Sequence, residues 1–271
     1  MRVPAFLHTL PRWTQALAIA TLIGAATLYA GVKLHQHLLL LKLDRSVAGA
    51  LDSTWADLAQ LLEDARATLT NIQPLAGLRC ESRVLAAMRR EVDLRPGIRS
   101  AFIVRDDGLG CSTYEGAYEA LPPLQQPLPS GVRLTHADGE SAPESLMYTR
   151  VHPPYTINSV VYDEAIDRVL RRSGEDVQMI LQIGDAFLDE STRQWQRRGD
   201  SSLALGQVRL SAEYPLALHG GLYDAQLALV QQRELTAVLG RLMFISVLVA
   251  GLVFTVLYNG TWLRRPRALV G

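Results

Sequence analysis

Two stretches without a charged side chain, "ALAIATLIGAATLYAGV" at residues 16–32 and "LMFISVLVAGLVFTVLYNGTW" at residues 242–262, restrict this chain more than any other feature. Inside lipid such a segment can satisfy its backbone only as a helix, and roughly 20 apolar residues cross a hydrocarbon core. The second run meets that length; the first meets it with slight thinning or with snorkelling of its flanks. The competing reading of the first run is a cleaved signal peptide with Arg2 and Arg12 as its basic region. The run exceeds an ordinary signal core of about 7 to 15 residues, and Leu28 and Ala30 make a poor Ala-x-Ala exit, so an uncleaved anchor is expected. Trp262, followed by Arg264, Arg265 and Arg267, marks the end of the second span.

Charge then sets orientation. The first 14 residues carry Arg2 and Arg12 and no acid, and the last nine carry three arginines and no acid. Both ends therefore read as cytoplasmic. Without those five arginines the chain has 22 basic and 27 acidic residues, net −5, so the neutral total conceals an acidic middle. Lys33 and Arg241 on the outer flanks weaken the asymmetry slightly. The middle lies across the membrane and is long enough for one domain with a real core. It has no Lys/Arg-rich run, aromatic ladder or zinc-ligand spacing, so nucleic acid is not an expected partner.

From Leu34 to about Thr70 the pattern predicts one long helix continuous with the first span. Ala48, Leu51, Trp55, Leu58, Leu62, Ala65 and Leu69 alternate at intervals of three and four, which is a heptad seam. Such a seam packs on its own domain or joins a second copy, and a homodimer through Leu51, Trp55, Leu58 and Leu62 is one expectation. Pro74 and Gly77 break the helix, and residues 81–93 predict a short amphipathic one with Val84, Leu85, Met88 and Val92 inward. "IRSAFIV" is strand-like, runs into Asp106-Asp107-Gly108, and returns at about 110–114 as a hairpin. A loop with Pro122, Pro123, Pro127, Pro129 and Gly131 follows, then strands near 132–135, 146–151, 157–162, 177–183 and 203–210. "DAFLDESTRQW" reads as about three helical turns, and a last helix from about Leu222 runs into the second span. The fold class expected is α+β: a helix out, a mainly antiparallel sheet of five or six strands, and a helix back. That arrangement resembles PAS-like or Cache-like sensor domains.

Cys80 and Cys111 are the only cysteines. In an oxidising compartment two lone cysteines of one domain tend to pair, and closing a loop of about 32 residues stabilises by roughly 3 to 4 kcal/mol in the chain-entropy model. The pair is then either a plain staple or, if accessible to exchange, a redox element. Two separate thiols acting as small core residues are the third reading.

Two flanking spans, a cysteine before a short helix, and a second cysteine in Cys111-Ser112-Thr113 together resemble the CSS-motif sensor domain. That domain precedes EAL phosphodiesterase domains in bacterial cyclic-di-GMP signalling proteins. "GEDVQMILQIGDAFLDE" is similar to a strand-then-helix segment of its second half. Thr113 stands where the family name implies Ser, which keeps a hydroxyl for a local hydrogen bond. The resemblance implies a cytoplasmic N-terminus over 1–14, a transmembrane helix over 15–33, a periplasmic sensor domain over 34–241, a second transmembrane helix over 242–262 and a cytoplasmic tail over 263–271. It further implies a bacterial inner-membrane protein whose cysteine pair answers to periplasmic thiol-oxidising proteins and controls a cyclic-di-GMP phosphodiesterase.

No catalysis is expected between Met1 and Gly271, so the receiver is a separate partner or lies beyond Gly271. Glu119-Ala120-Leu121 spells the hydrolase motif, but on the wrong side of the membrane and without the roughly 250 residues of a metal-binding barrel. His35, His37, His136, His152 and His219 show no ligand spacing, and no metal or cofactor is expected. "MYTRVHPPYTINSVVYDE" offers Arg150, Tyr155, Asn158 and Tyr162 as a small-ligand pocket or, more simply, as core. The competing function is a two-span interaction or scaffold protein whose disulfide is purely structural.

Overall fold

A computed structural model describes residues 11–119, 131–136, 144–171, 177–189, 195–196 and 203–262. The expectations for the first ten residues, the tail after Trp262, the proline-rich loop 122–129 and the Ala120-Leu121 end of the hydrolase-like tripeptide lie outside them. The described chain is built on two long helices, α1 (Arg12–Ile72, 61 residues) and α4 (Asp224–Trp262, 39 residues). Both are long and apolar enough to cross a membrane.

The helical ends form one compact unit and residues 45–224 another. In the first unit Leu17, Leu22, Phe244, Val247, Leu252 and Val256 all lie exposed. So much uncovered apolar surface on two runs without a charged side chain suits lipid rather than water. Most of what is buried there is small, Ala16, Ala20 and Ser246, with Leu39 the one large side chain among the described residues. A Cβ added at Gly24 would stand 3.0 Å from the Ala250 Cβ, so the helices meet where side chains are least, the usual packing in lipid.

The second unit holds two antiparallel sheets. The first is ordered β3-β2-β1-β6-β5-β4, from β1 (Ile98–Arg105), β2 (Leu109–Ser112), β3 (Gly116–Glu119), β4 (Gly131–His136), β5 (Glu144–His152) and β6 (Tyr155–Val161). The second is ordered β10-β11-β7-β8-β9, from β7 (Gln178–Ile183), β8 (Ala186–Asp189), β9 (Trp195–Gln196), β10 (Leu205–Leu210) and β11 (Leu216–Leu222). Between them runs α3 (Asp163–Arg171), with Ala165, Ile166 and Leu170 buried. The short α2 (Ser82–Asp93) covers β1 with Val84, Met88 and Val92.

Residues 45–72 of α1 are a spine for both sheets. Near its start Leu51 packs on the second sheet, where a Cβ at Gly220 would stand 3.2 Å from the Leu51 Cδ1 and 3.1 Å from the Met179 Sδ. Further along it meets the first sheet: the Ser159 hydroxyl donates to the Ala65 carbonyl at 3.3 Å, and Arg150 Nη1 donates to Thr70 Oγ1 at 3.1 Å. The sheets also meet at Tyr148 and Tyr214, whose hydroxyls lie 3.2 Å apart with their rings edge to face. Burial first, and then the Tyr148 partner, push the Tyr214 phenol upward, so it stays protonated.

The expected α+β class is the one observed, with several corrections of detail. Among the described residues there are two sheets, of six and five strands, not one of five or six. The heptad seam faces the chain's own core: Leu51, Leu58, Leu62, Ala65 and Leu69 are buried and Trp55 is partly covered. A dimer through Leu51, Trp55, Leu58 and Leu62 would have to strip that core, so this stripe is not a free dimer surface. Of the helix expected over 185–195, the described residues Ala186–Asp189 are instead the second strand of a hairpin, because Gly184 turns at φ +60° and Ala186 and Leu188 alternate inward with Phe187 between them; residues 190–194 lie outside the described ones. The strand β11 and the helix α3 lay in segments to which no element was assigned.

Candidate functional site

The site lies where α1 ends. Pro74 supplies no N–H to continue the helix, and a 3-10 turn (Gln73–Leu75) finishes it, closed by Ala76 and Leu78 donating to the carbonyls of Gln73 and Leu75 at 3.1 and 3.0 Å. The turn delivers Cys80 two residues before α2. Cys111 arrives by another route. Gly108 at φ +80° makes the turn after β1, the Asp107 carboxylate accepts the Leu109 N–H at 3.0 Å, and Cys111 then stands opposite Ile103 on β1 and Ala117 on β3. The two sulfurs are bonded, with Cα atoms 5.5 Å apart. The separate-thiol reading is thereby excluded.

The next two residues fasten that strand. Ser112 Oγ accepts the N–H groups of Tyr114 and Glu115 at 3.2 and 3.4 Å, closing the turn into β3. Thr113 Oγ1 accepts the buried Ala101 N–H at 3.1 Å while its own N–H donates to the Ala101 carbonyl at 3.0 Å. Its side chain thus substitutes for one more rung of the β1–β2 ladder. That bond asks for a hydroxyl and not for serine in particular, which is how Thr can occupy the position. The Thr113 carbonyl in turn accepts Arg89 Nε from α2 at 2.9 Å.

A second tie joins α2 to the end of α1. Asn71 Nδ2 donates to Glu91 Oε2 at 2.8 Å, and Arg95 Nη1 donates to the same oxygen at 3.0 Å. The Asn71 hydrogen bond first, then the Arg95 one, hold the Glu91 carboxyl below its ordinary range. Neither Arg89 nor Glu91 was singled out from sequence. Their partners lie 24 and 20 residues away, beyond any local pattern.

Beside the bond is a cleft of about 550 Å³ whose lining includes both cysteines. The four candidate pocket residues do not share it. Tyr155 borders a separate, more polar cleft of about 420 Å³ with Thr70, Gln73 and His152, and Arg150 reaches that place through Thr70. Asn158, three residues after Tyr155, points to the opposite sheet face, where it is buried and its Oδ1 accepts Thr149 Oγ1 at 2.8 Å. Tyr162 follows the strand and is 39% exposed. The strand period separates what the sequence stretch had grouped. Among the described residues no group of three or more His, Cys, Asp or Glu side chains is placed to hold a metal ion.

Comparison with known proteins adds three findings. A family model described as the CSS motif domain associated with EAL matches residues 53–233. No curated protein matches. Among solved structures, the sensory domain of the Campylobacter jejuni chemoreceptor Tlp3 (CcmL) with isoleucine bound is similar at 7% identity and TM-score 0.49, over 73% of this chain and 97% of that one. The ligand-binding domain of the same chemoreceptor in complex with L-valine is similar at 8% identity and TM-score 0.47, over the same shares of 73% and 97%. An extracellular ligand binding receptor from Desulfohalobium retbaense is similar at 10% identity and TM-score 0.45, over 66% of this chain; the match spans 40% of that receptor.

Proposed function

This chain belongs to the family of CSS motif domains associated with EAL, and from that membership we propose that it is the two-span, redox-responsive sensor module of cyclic-di-GMP phosphodiesterase signalling. In this reading residues 1–14 and 263–271 are cytoplasmic, 15–33 and 242–262 span the inner membrane, and 34–241 form the periplasmic sensor. The receiver is an EAL-type phosphodiesterase, and catalysis belongs to it.

The observation that carries the reading is the position of the disulfide. Cys80 ends the turn that closes α1, and α1 is unbroken from Arg12 to Ile72. A bond made or opened there changes what restrains the tip of a helix whose other end is the first span. Closure by a periplasmic thiol oxidant passes two electrons and two protons from the pair to the oxidant's own disulfide. Opening releases the turn at 76–81 from β2, and the packing of Val84, Met88 and Val92 with the Thr113–Arg89 and Asn71–Glu91 hydrogen bonds then holds α2. The shift would pass along α1, whose small-residue contact with α4 lets one helix slide or turn on the other. Because the heptad seam is buried in its own domain, transmission needs no second copy through Leu51, Trp55, Leu58 and Leu62; any homodimer uses another face.

The test uses the full chain in lipid nanodiscs, with spin labels placed by non-cysteine chemistry at Leu38 and Leu229, both exposed. Reduction is expected to shift the label distance, and the Cys80→Ser, Cys111→Ser double variant is expected to match the reduced form. An unchanged distance in a domain that remains folded would leave the disulfide a staple and favour the two-span scaffold reading.

A further inference from the structure

The cleft beside the disulfide has a composition that the redox reading does not use. Leu75, Val84, Ile103 and Leu109 form its walls, Leu78 and Leu109 stand more than half exposed at its mouth, and Cys80 and Cys111 are both among its lining residues. A pocket of about 550 Å³ is within the range of roughly 300 to 1,000 Å³ that holds small molecules. Open apolar walls of this size leave two large leucines in water unless something covers them.

Its charges all have one sign. Arg79 and Arg105 line the cleft and no acidic residue does. Arg105 is engaged by Asp107 at 3.2 Å. Among the described residues nothing engages the Arg79 guanidinium, which lies exposed at the end of the α1–α2 turn. A free guanidinium at the rim of an apolar cleft complements a molecule with one planar anionic head and an apolar body, because its fork matches the two oxygens of a carboxylate.

We propose that this cleft binds a small, mainly apolar monocarboxylate, held at its head by Arg79, and that occupancy governs how readily the Cys80–Cys111 bond is reduced. The second half follows from the geometry. A reductant must approach a sulfur along the line of the bond, and Cys111 is already 8% exposed. An occupant of the cleft, seated against both cysteines, would narrow that approach. The module would then read two inputs at one place, with the ligand setting the rate at which the redox input is felt. This rests on the redox reading only for its consequence; the binding itself does not.

The experiment uses the oxidised full chain in nanodiscs and two probes, 4-phenylbutyrate and its uncharged counterpart 4-phenylbutan-1-ol. Binding is followed by calorimetry with empty nanodiscs subtracted. Reduction by a water-soluble phosphine, which becomes the phosphine oxide as the two sulfurs take up two electrons and two protons, is followed by thiol release. The acid is expected to bind tighter than the alcohol by about tenfold, the size of one charge-assisted contact at a partly exposed site, and to slow thiol release in proportion to occupancy. Arg79→Gln, an exposed change that leaves the fold intact, is expected to abolish the preference for the acid. Ala117→Phe, which fills the rim, is expected to weaken both probes. Equal binding of acid and alcohol, an unchanged preference in Arg79→Gln, or binding without slower thiol release would each overturn the proposal. If the acid binds and protects while the span distance ignores reduction, the redox reading falls and the ligand site stands.

Discussion

The two sheets are held to the same helix by different means. The first is tied at the tip of α1 by a covalent bond, by the Thr113 hydroxyl acting as a ladder rung, and by Arg89 and Glu91 on α2. The second rests on α1 through apolar contact, Leu51 against Gly220 and Met179, with a surface ion pair between Arg209 and Asp52. Apolar packing is not directional and has no chemical switch, whereas the first set contains one bond that a thiol can open. Under the proposed redox reading the parts divide accordingly: the first sheet holds the element that would change state, and the second would hold α1 steady.

The largest test of that division removes the bond. Cys80→Ser with Cys111→Ser is expected to cost roughly 3 to 4 kcal/mol in chemical denaturation, the value for a loop of about 32 residues. Hydrogen exchange should show the loss in β1, β2 and α2 and much less in β7 and β11. Equal loss in both sheets would mean that they open as one unit, and the comparison would fail. The complementary change is Gly221→Ala in the second sheet, where a Cβ would lie 2.2 Å from the Leu205 carbonyl oxygen and 2.9 Å from the Gly206 Cα. Backbone cannot yield cheaply, so about 1 to 3 kcal/mol is expected from β10–β11, read by denaturation, with thiol release from Cys80–Cys111 unaltered.

The sequence was most legible where one signal repeats. The apolar runs, the intervals of three and four along α1, Pro74 and Gly77, and the Asp107-Gly108 turn all foretold elements that are present. It was least legible where a pattern is short or a partner distant. Four residues, Ala186 to Asp189, cannot display enough alternation to outweigh the helical look of "DAFLDESTRQW", and Gly220-Gly221 looks like a loop until Leu51 and Leu205 are seen beside it. A seam of leucines says that something will cover it but not what, and here the cover is the chain's own two sheets. At the site, both cysteines were evident, whereas Arg89, Asn71 and Glu91 gain meaning only once the disulfide has brought α2 to β2.

Thr113 permits a finer test. Thr113→Val keeps the shape and removes the acceptor of a buried N–H, at an expected cost of about 1 to 2 kcal/mol, while Thr113→Ser should cost far less. Thermal denaturation of the oxidised forms measures both. Equal losses would show that the methyl packing matters and the hydroxyl rung does not. Because the rung belongs to the first sheet alone, exchange in β7 and β11 should again be nearly unaffected.

The smallest effect distinguishes the sheets by acid. His219 on β11 is half-buried, burial lowers its pKa below the ordinary 6.5, and its neutral ring lies 2.7 Å from Gln182 Oε1, so that Nε2–H donates. As pH falls through 6.5 the unfolded chain takes up a proton at this ring before the folded chain does, so stability is lost from there downward to the folded value. Glu91 is also lowered, but from 4.5. Its contribution is complete above 4.5 and disappears only as pH falls through the folded value beneath it. Protection of the amides in β7 and β11, corrected for the intrinsic pH dependence of exchange, should therefore fall as pH drops below about 6.5, while the Asn71–Glu91 junction of α1 and α2 holds until below about pH 4.5. His219→Gln should flatten the first change and leave the second. Both are expected to be modest, because neither group is fully desolvated and an exposed ionic contact contributes about 1 kcal/mol at most. If the two regions instead softened together at one pH, a shared opening would be setting both, and the separate anchoring of the sheets would have no thermodynamic expression.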